Sequence, residues 1–361
     1  MKSHSLSAAV LASVLLSQAL AQPAGDSPTV DVRQVGTARL ENVPAIPDDV
    51  RAAVQRYQNY RSAQFQDWLP DGSMLITTRF GSTNQLHRVK ALGAYRQQLT
   101  FYDEPVAGAQ TIPDSDRFLF RRDTGGDEWF QLFTRGLDGS TEQLTESGTR
   151  NESATFSSDG RLLAWSQAVS GSGDYAIFTV NPADPSNPRL LWQGTGSVDP
   201  DDISDDGRTI LVKRSLSNQF DELMLLNALS AELRPLTIAG GAARYDDARL
   251  IKDGAVILTI SNNGSDVRRL IEIDVATGTL RPVSPELPWD VEAYDLSDDG
   301  RVLAYAVNED GFSRVVLQDF LGDRALPQPD LPRGVLTALD FSSDGSKIAI
   351  GLSTARSAGG S

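Results

Sequence analysis

The 361-residue sequence contains no cysteine and two histidines, His4 and His87. Without cysteine no disulfide can form, so the fold depends on its hydrophobic core even in an oxidising compartment. A Ser-His-Asp triad needs a histidine as general base. His87 is the candidate that remains once the N-terminal segment is set aside, and it falls on a predicted strand. We interpret it as a partly buried strand residue and predict no catalytic residue.

Several other signatures of chemistry are missing. No Gly-x-Ser-x-Gly pentapeptide, which would place a nucleophilic serine on a strand-to-helix turn, occurs in the sequence. There are no phosphate-cradling Gly loops, no Cys/His clusters and no basic patches with interleaved aromatic residues. The net charge of −15 argues against nucleic acid or an anionic membrane as a partner. The sequence predicts a chain that performs no hydrolysis alone and needs no cofactor.

The N-terminal apolar run is short. Lys2 precedes the apolar residues 8–16, and Ala19-Leu20-Ala21 fits a small-residue cleavage site. The run is shorter than the roughly 20 residues that span a bilayer. We therefore expect residues 1–21 to be a signal peptide cleaved after Ala21, and the mature protein to be periplasmic or extracellular.

What the sequence has is a repeat. An Asp-Gly turn, often within Ser-x-Asp-Gly, recurs with a degenerate copy that puts Asp116 in the glycine slot, and successive slots lie 44 to 47 residues apart. The glycines are Gly72, Gly160, Gly207, Gly254, Gly300 and Gly345. A repeat with such a regular spacing determines the architecture of the fold.

Each period predicts four strands. A short strand precedes the turn, a nearly all-apolar strand follows it, and a third and a short polar fourth strand come later. This pattern is typical of a β-propeller blade. We predict an all-β, seven-bladed propeller with blades near 61–105, 106–150, 151–195, 196–240, 241–285, 286–333 and 334–361. The last blade is incomplete, because its third and fourth strands are missing from the pattern.

The segment before the blades, 22–60, is predicted to be an extension with one helix. Pro47 suits the first helical position, acidic Asp48 and Asp49 suit the first turn, and the apolar side chains after them fall on one face. Residues 29–35 alternate enough to form a strand, which is predicted to add to the last blade.

The clustered aspartates resemble the start of a calcium loop in three copies, at Asp202, Asp295 and Asp340. Such a loop needs a bidentate glutamate at its twelfth position. Those positions hold Lys213, Ala306 and Gly351. We therefore interpret the aspartates as turn-forming residues and predict no metal site.

One loop, residues 122–133, combines a Gly-Gly turn with Asp127, Glu128 and Trp129. If Glu128 faces a channel, its carboxylate can hold a peptide amino group, which makes it a candidate substrate-binding residue. The alternative is an exposed hairpin loop between the second and third strands of a blade, and this alternative is favoured.

Five segments carry a family resemblance: 57–72, 78–89, 96–106, 121–133 and 308–320. They resemble the N-terminal propeller of secreted prolyl oligopeptidase family (S9) serine peptidases, nearest to the acylaminoacyl- and dipeptidyl-peptidase-like branch. The resemblance covers about residues 45–361. It implies a propeller that covers an active site, admits short or unfolded peptides, and is followed by an α/β-hydrolase domain that carries the serine, aspartate and histidine.

The chain departs from that pattern because it stops before such a domain, so no catalytic residue can be assigned to it. Two functions stay open. One is the substrate-gating portion of a secreted serine-type oligopeptidase, with peptides and the missing hydrolase domain as partners. The other is a freestanding TolB-like propeller, which shares the Ser-x-Asp-Gly turn and binds periplasmic proteins or peptides.

Overall fold

The computed structural model describes residues 30–36, 38–58, 61–169 and 171–360. The predicted signal peptide, 1–21, lies outside them. The chain divides into two compact units, Met1–Pro47 and Asp48–Ser361. Within the described ranges, no helix has the length and apolar character needed to cross a membrane.

The described part of the first unit is a small hairpin. Strand β1, Val32–Val35, pairs antiparallel with β2, Ala38–Glu41. The strand predicted within 29–35 is therefore present, but the expectation that it adds to the last blade is wrong. Its partner is β2, a nearby segment that closes the hairpin through a short turn and needs no long-range pairing.

The second unit begins with the predicted helix, α1, Asp48–Gln58. Asp48 and Asp49 occupy its first turn, where carboxylates interact favourably with the helix dipole. Its apolar side chains are exposed, however, with Tyr57 82% accessible. The spacing of the apolar residues predicted the helix correctly, but its apolar face does not pack against the core.

Seven antiparallel sheets follow, each meandering in chain order. Sheet 1 has β3 Gln64–Trp68, β4 Met74–Thr78, β5 Gln85–Val89 and β6 Arg96–Gln98; sheet 2 has β7 Ala107–Thr111, β8 Arg117–Arg122, β9 Gln131–Gly136 and β10 Thr141–Gln143. Sheet 3 has β11 Asn151–Phe156, β12 Leu163–Ala168, β13 Tyr175–Asn181 and β14 Asp184–Gln193; sheet 4 has β15 Ser197–Ile203, β16 Thr209–Ser215, β17 Asp221–Asn227 and β18 Leu233–Pro235. Sheet 5 has β19 Tyr245–Ile251, β20 Val256–Ser261, β21 Arg269–Asp274 and β22 Leu280–Pro282; sheet 6 has β23 Val291–Leu296, β24 Val302–Glu309, β25 Phe312–Asp319 and β26 Arg324–Ala325. Sheet 7 has three strands, β27 Val335–Phe341, β28 Ile348–Thr354 and β29 Ser357–Gly360.

The predicted all-β propeller with mostly four-stranded antiparallel blades is confirmed. Seven blades were predicted, whereas the ring has six four-stranded blades, and the described residues contain two smaller sheets besides: sheet 7 and the β1–β2 hairpin. First strands of neighbouring sheets touch, for example β3 with β7 and β15 with β19, so the first strands lie nearest the axis. Second strands such as β20 are buried along most of their length, whereas fourth strands such as β10 and β18 are short and mostly exposed. A short polar outer strand protects a sheet edge from pairing with other chains.

The core is divided into clusters that join successive sheets. One cluster packs Leu119 and Leu132 of sheet 2 against Phe156 and Trp165 of sheet 3. Four further clusters join sheets 1–2, 3–4, 4–5 and 5–6 in the same way. Trp165, 1% exposed, donates its indole N–H to Asn151 Oδ1 at 3.2 Å, so its polar atom is satisfied inside the core.

Sheet 7 is smaller than the others, yet it is more complete than the sequence pattern predicts. A third strand, β29, pairs with β28, so the expectation that this strand is missing is wrong. Its sequence, Ser-Ala-Gly-Gly, lacks the run of large apolar residues by which the other third strands were recognised. No fourth strand follows in the residues described. Strand β27 touches both β23 and β3, and the Trp68 indole donates to the Asp340 carbonyl at 3.2 Å.

The repeated turn is confirmed with one correction. In six sheets the glycine N–H donates to the carbonyl three residues earlier, as from Gly160 to Ser157 at 2.9 Å, and each glycine has positive φ. In sheet 2 the equivalent bond runs from Ser115 to Ile112, so Ser115 and not Asp116 occupies the slot. Positive φ shifts to Asp114, at 55°, a residue type that tolerates this region.

Candidate functional site

One position of the repeat brings side chains from all seven first strands to equivalent places. It lies two residues before the residue whose carbonyl accepts the turn hydrogen bond. Its occupants, in sheet order, are Asp67, Gln110, Thr155, Asp202, Arg249, Asp295 and Asp340. The repeated position therefore carries four carboxylates and one guanidinium beside the axis.

Three of these carboxylates join their own sheet to the next. Asp67 Oδ2 accepts the N–H of Thr111, Asp202 Oδ2 that of Leu250, and Asp295 Oδ2 that of Phe341, each at 2.6 Å. The interpretation of the clustered aspartates as turn-forming residues is therefore confirmed for the second aspartate of each cluster and wrong for the first. The second aspartates, which accept hydrogen bonds from the turn serines, are Asp206, Asp299 and Asp344. The first aspartates, Asp202, Asp295 and Asp340, are each the next-to-last residue of a first strand. The aspartate four residues later closes the turn; Asp206 Oδ1, for example, accepts a hydrogen bond from Ser204 Oγ at 2.7 Å.

Burial shifts the pKa values of several of these carboxyl groups. Burial raises the pKa of Asp67 to about 6 and that of Asp202 to about 6, although the backbone N–H bonds from Thr111 and Leu250 act in the opposite direction. Burial also raises the pKa of Asp340 to about 8, and the neighbouring carboxylates of Asp295 and Asp67 raise it further. Desolvation and like charge both disfavour the ionised form of a carboxyl.

Arg249 is the one cation at the repeated position. Its Nη1 lies 2.5 Å from Asp295 Oδ1 and its Nε 3.4 Å from Asp247 Oδ1. The guanidinium also stacks over the Tyr294 ring at 5.1 Å. This arrangement fixes the cation between sheets 5 and 6, so it compensates Asp295 better than it does Asp340.

A second group of carboxylates continues this charge into sheets 4 and 5. The Asp201 side chain is 10% exposed, and its Oδ1 lies 3.4 Å from Lys213 Nζ. Its Oδ2 is fully buried and has no hydrogen-bond partner in the part of the chain that the structure describes. Burial raises the pKa of Asp201 to about 7, Lys213 lowers it, and Asp199 and Asp247 raise it.

We call the whole set the acidic wall. It comprises the carboxyl groups of Asp67, Asp199, Asp201, Asp202, Asp247, Asp295 and Asp340, with Lys213 and Arg249 as its cations. In the described residues no group of three or more histidines, aspartates or glutamates is arranged to hold a metal ion. Because the pKa values of Asp201 and Asp340 are raised to about 7 and about 8, these two carboxyl groups of the wall can hold protons near neutral pH.

Glu128 lies apart from the acidic wall. It sits in the exposed loop between β8 and β9, at the opposite end of sheet 2 from the repeated turn, with φ of 61°. Its backbone N–H donates to Asp123 Oδ2 at 3.1 Å. The next residue, Trp129, is 46% exposed and lines a surface cavity of about 460 Å³ together with Arg150, Tyr175, Phe178 and Leu190.

His87 is 1% exposed on β5, more deeply buried than the sequence suggested. Its Nδ1 lies 3.0 Å from the Gln85 carbonyl, and burial lowers the pKa of the imidazole. Phe80 packs against the ring at 5.3 Å.

The comparisons with known proteins support the fold. No family model matches the sequence, and no curated protein matches it. The structure is similar to that of a prolyl endopeptidase, one of two studied for the role of inter-domain dynamics in catalysis and specificity, with 14% identity and a TM-score of 0.64. It is also similar to prolyl oligopeptidase B from Galerina marginata bound to a 35mer substrate of hydrolysis and macrocyclisation, with 13% identity and a TM-score of 0.63. A third similar structure is TolB from Acinetobacter baumannii, with 13% identity, a TM-score of 0.48, and coverage of 83% of this chain and 80% of TolB.

The similarity covers a larger share of this chain than of the two peptidases. It extends over 90% and 91% of this chain but over 55% of each peptidase. The chain therefore spans about half the length of these enzymes, and its fold is that of a β-propeller like their propeller domains. At such low identity the likeness establishes the fold and leaves the function open.

Proposed function

We propose that this chain is the substrate-gating, non-catalytic propeller portion of a secreted serine-type oligopeptidase. The observation that supports the proposal most is the uneven structural match, which covers nine-tenths of this chain but 55% of a prolyl endopeptidase. A propeller that accompanies a separate catalytic domain accounts for this ratio. The absence of a Gly-x-Ser-x-Gly motif from this sequence agrees with it.

In this proposal sheet 7 is the seventh blade. Two contacts support that role: the Trp68–Asp340 hydrogen bond between sheets 1 and 7, and Lys347 Nζ at 3.4 Å from the Gly72 carbonyl. A closed ring of blades leaves a narrow axial passage or side cleft, which excludes folded proteins. A peptide held there is also oriented, and orientation lowers the barrier of a subsequent reaction.

Glu128 is the proposed anchor for a peptide amino group. Its exposed carboxylate, its left-handed backbone and the neighbouring cavity beside Trp129 support this role, because unusual backbone conformations cluster at binding sites. In an active enzyme that contains this propeller, Glu128→Gln is expected to raise KM for peptides with a free amino terminus and to leave N-acetylated peptides unaffected. Unchanged kinetics for both classes would remove Glu128 from the proposal.

The gating function is tested first on the purified chain. We expect no hydrolysis of peptide p-nitroanilides, together with measurable binding of short unfolded peptides and none of a folded protein that contains the same sequence. The coding sequence downstream of residue 361 provides the second test. A Gly-x-Ser-x-Gly motif with a later aspartate and histidine supports the proposal, whereas a natural stop codon favours a freestanding binding propeller.

A further inference from the structure

A cavity of about 500 Å³ lies between the outer strands of sheets 5 and 6. Sheet 5 lines it with residues 281–285, and sheet 6 lines it with Tyr305, residues 316–318, Phe320 and residues 323–325. Small-molecule sites have volumes of about 300–1,000 Å³ and are mostly apolar, with a few polar groups that orient the ligand. The cavity has the size of such a site, and it lies on the outer strands, away from the acidic wall beside the axis.

The polar group inside the cavity is the hydroxyl of Tyr305, a residue that is 3% exposed. This hydroxyl has no hydrogen-bond partner in the described residues, and it is not fully enclosed, so it opens into the cavity that the side chain lines. Two other buried tyrosines differ. The Tyr245 hydroxyl accepts a hydrogen bond from Asn263 Nδ2 at 3.0 Å, and the Tyr294 hydroxyl donates to the Asp247 carbonyl at 2.6 Å. Because a buried hydroxyl without a partner is costly, Tyr305 needs a partner from outside the chain.

The cavity has its origin in two positions of the repeat. Tyr305 stands five residues after the turn glycine, and Trp165 has the same position in sheet 3. Trp165 pairs across the strands with Phe178 and stacks on its ring at 5.5 Å, and its indole donates to Asn151. In sheet 6 the pair is Tyr305 and Val316. The smaller pair leaves the space of one aromatic ring and one unpaired hydroxyl.

The charged groups at the rim of the cavity already have partners. Arg281 Nε donates to Glu272 Oε2 at 2.7 Å, and Arg324 Nε donates to Asp319 Oδ2 at 2.8 Å. Asp323 is exposed to solvent. The rim therefore favours a ligand without charge, since a charged group that leaves water needs a partner of opposite sign.

We propose that this cavity binds a small neutral molecule that has an apolar ring and one hydroxyl group, as a phenol has. The ring would lie against Val283, Val316 and Phe320 and take the place that the Phe178 ring has in sheet 3. The hydroxyl of the ligand would pair with that of Tyr305. Burial raises the pKa of Tyr305, so its hydroxyl stays protonated at neutral pH and can donate or accept. The inference does not depend on the proposed gating function.

The test is an NMR titration of the full chain, labelled at tyrosine ¹³Cζ, with toluene, p-cresol and 4-methylbenzoate. The three probes share one ring and differ in carrying no polar group, a hydroxyl or a carboxylate. We expect p-cresol to bind about fivefold more tightly than toluene, because it pairs with the Tyr305 hydroxyl. We expect 4-methylbenzoate to bind most weakly, because the rim guanidinium groups are already paired. The resonance that shifts with p-cresol should be the one that is missing from the spectrum of Tyr305→Phe.

Two variants assign the selectivity to one hydroxyl. Tyr305→Phe should move the preference toward toluene by about tenfold, because the p-cresol hydroxyl would then be buried without a partner. Tyr245→Phe is the matched control, since Tyr245 is also 3% exposed, and it should leave the preference unchanged. Thermal melts check folding. Tyr305→Phe should not lower Tm, because the hydroxyl it removes has no partner in the described residues, whereas Tyr245→Phe should lower it slightly.

Every other result overturns the proposal. If Tyr305→Phe leaves the ratio of the two affinities unchanged, or if p-cresol binds without shifting the Tyr305 resonance, this hydroxyl does not select the ligand. Tightest binding of 4-methylbenzoate would make the cavity an anion site. If no probe binds up to its solubility limit, water alone is the partner of Tyr305. None of these results bears on the gating function, which peptide binding and the downstream coding sequence test separately.

Discussion

Two aspartates four residues apart in the same repeat have opposite environments. In sheet 7, burial raises the pKa of Asp340 to about 8, whereas hydrogen bonds from Ser342 and Ser346 lower the pKa of Asp344 to about 2. In sheet 4 burial raises the pKa of Asp202 to about 6, and a hydrogen bond from Ser204 lowers that of Asp206. The first aspartate of each pair ends a strand beside the axis, and the second stabilises an exposed turn. The comparison separates carboxylates whose burial disfavours ionisation from carboxylates whose hydrogen bonds within the turn favour it.

The largest expected consequence is a stability maximum at mildly acidic pH. Asp67, Asp201, Asp202 and Asp340 have folded-state pKa values above the ordinary 3.8, so the folded state binds more protons than the unfolded state between about pH 4 and pH 8. The free energy of unfolding should therefore fall as pH rises through this range, on the order of 2 kcal/mol per carboxyl. Urea unfolding between pH 4 and pH 8 measures it.

The turn aspartates act in the other direction. The pKa of Asp344 is lowered, so its contribution is present above its unfolded-state pKa and is lost as the pH falls toward 2. Stability should thus decline on both sides of a maximum near pH 4 to 5. A free energy of unfolding that rises from pH 5 to pH 8 would contradict the account of the strand aspartates.

A smaller effect on stability is expected from one substitution among the buried strand aspartates. Asp340→Asn removes the ionisation cost without changing the side-chain shape, so it should stabilise the protein by roughly 2 kcal/mol at pH 8 and by little at pH 4. Asp330→Asn, at an exposed position, is the matched control for net charge. Destabilisation by Asp340→Asn at pH 8 would show that the carboxylate is held by a favourable partner.

The smallest effect on stability, opposite in sign, is expected from the substitution of a turn aspartate. Asp344 Oδ1 accepts hydrogen bonds from Ser342 Oγ at 2.6 Å and from the Ser346 N–H at 3.0 Å. Asp344→Asn weakens these bonds, so it should lower Tm at pH 7, and the loss should shrink toward pH 2. Differential scanning calorimetry of both variants tests the pair. Equal signs for Asp340→Asn and Asp344→Asn at pH 8 would remove the distinction.

Most of the fold could be predicted because the same pattern of strands and turn repeats along the sequence. The turn recurs at a nearly constant spacing, and strands such as β16 follow it as continuous apolar runs, so architecture could be inferred without long-range contacts. The third strand of sheet 7 was missed because Ser357–Gly360 contains two glycines and a single apolar residue, Ala358, so only its pairing with β28 reveals it. The partner of β1 was missed because alternation predicts a strand and says nothing of what it pairs with.

The acidic wall was only partly predictable. Asp202, Asp295 and Asp340 attracted attention by their spacing, but a sequence does not show which side of the strand–turn boundary each aspartate occupies. Asp201 and Asp247 depend on bulges, and the position of a bulge follows from the pairing register of the partner strand. One sequence feature could have identified the repeated position: aspartate recurs two residues before the first residue of the turn, near the end of a strand.

The most direct measurement is a titration of aspartate-¹³Cγ-labelled protein by NMR from pH 2 to pH 9. We expect a group of carboxyls that titrate between about pH 6 and pH 8, assigned through asparagine variants to Asp67, Asp201, Asp202 and Asp340. Turn aspartates such as Asp206 and Asp344 should titrate below 3.8. If all aspartates instead titrate together between pH 3 and pH 4.5, the acidic wall is ordinary solvated surface, and burial does not disfavour the ionised form of its carboxyl groups.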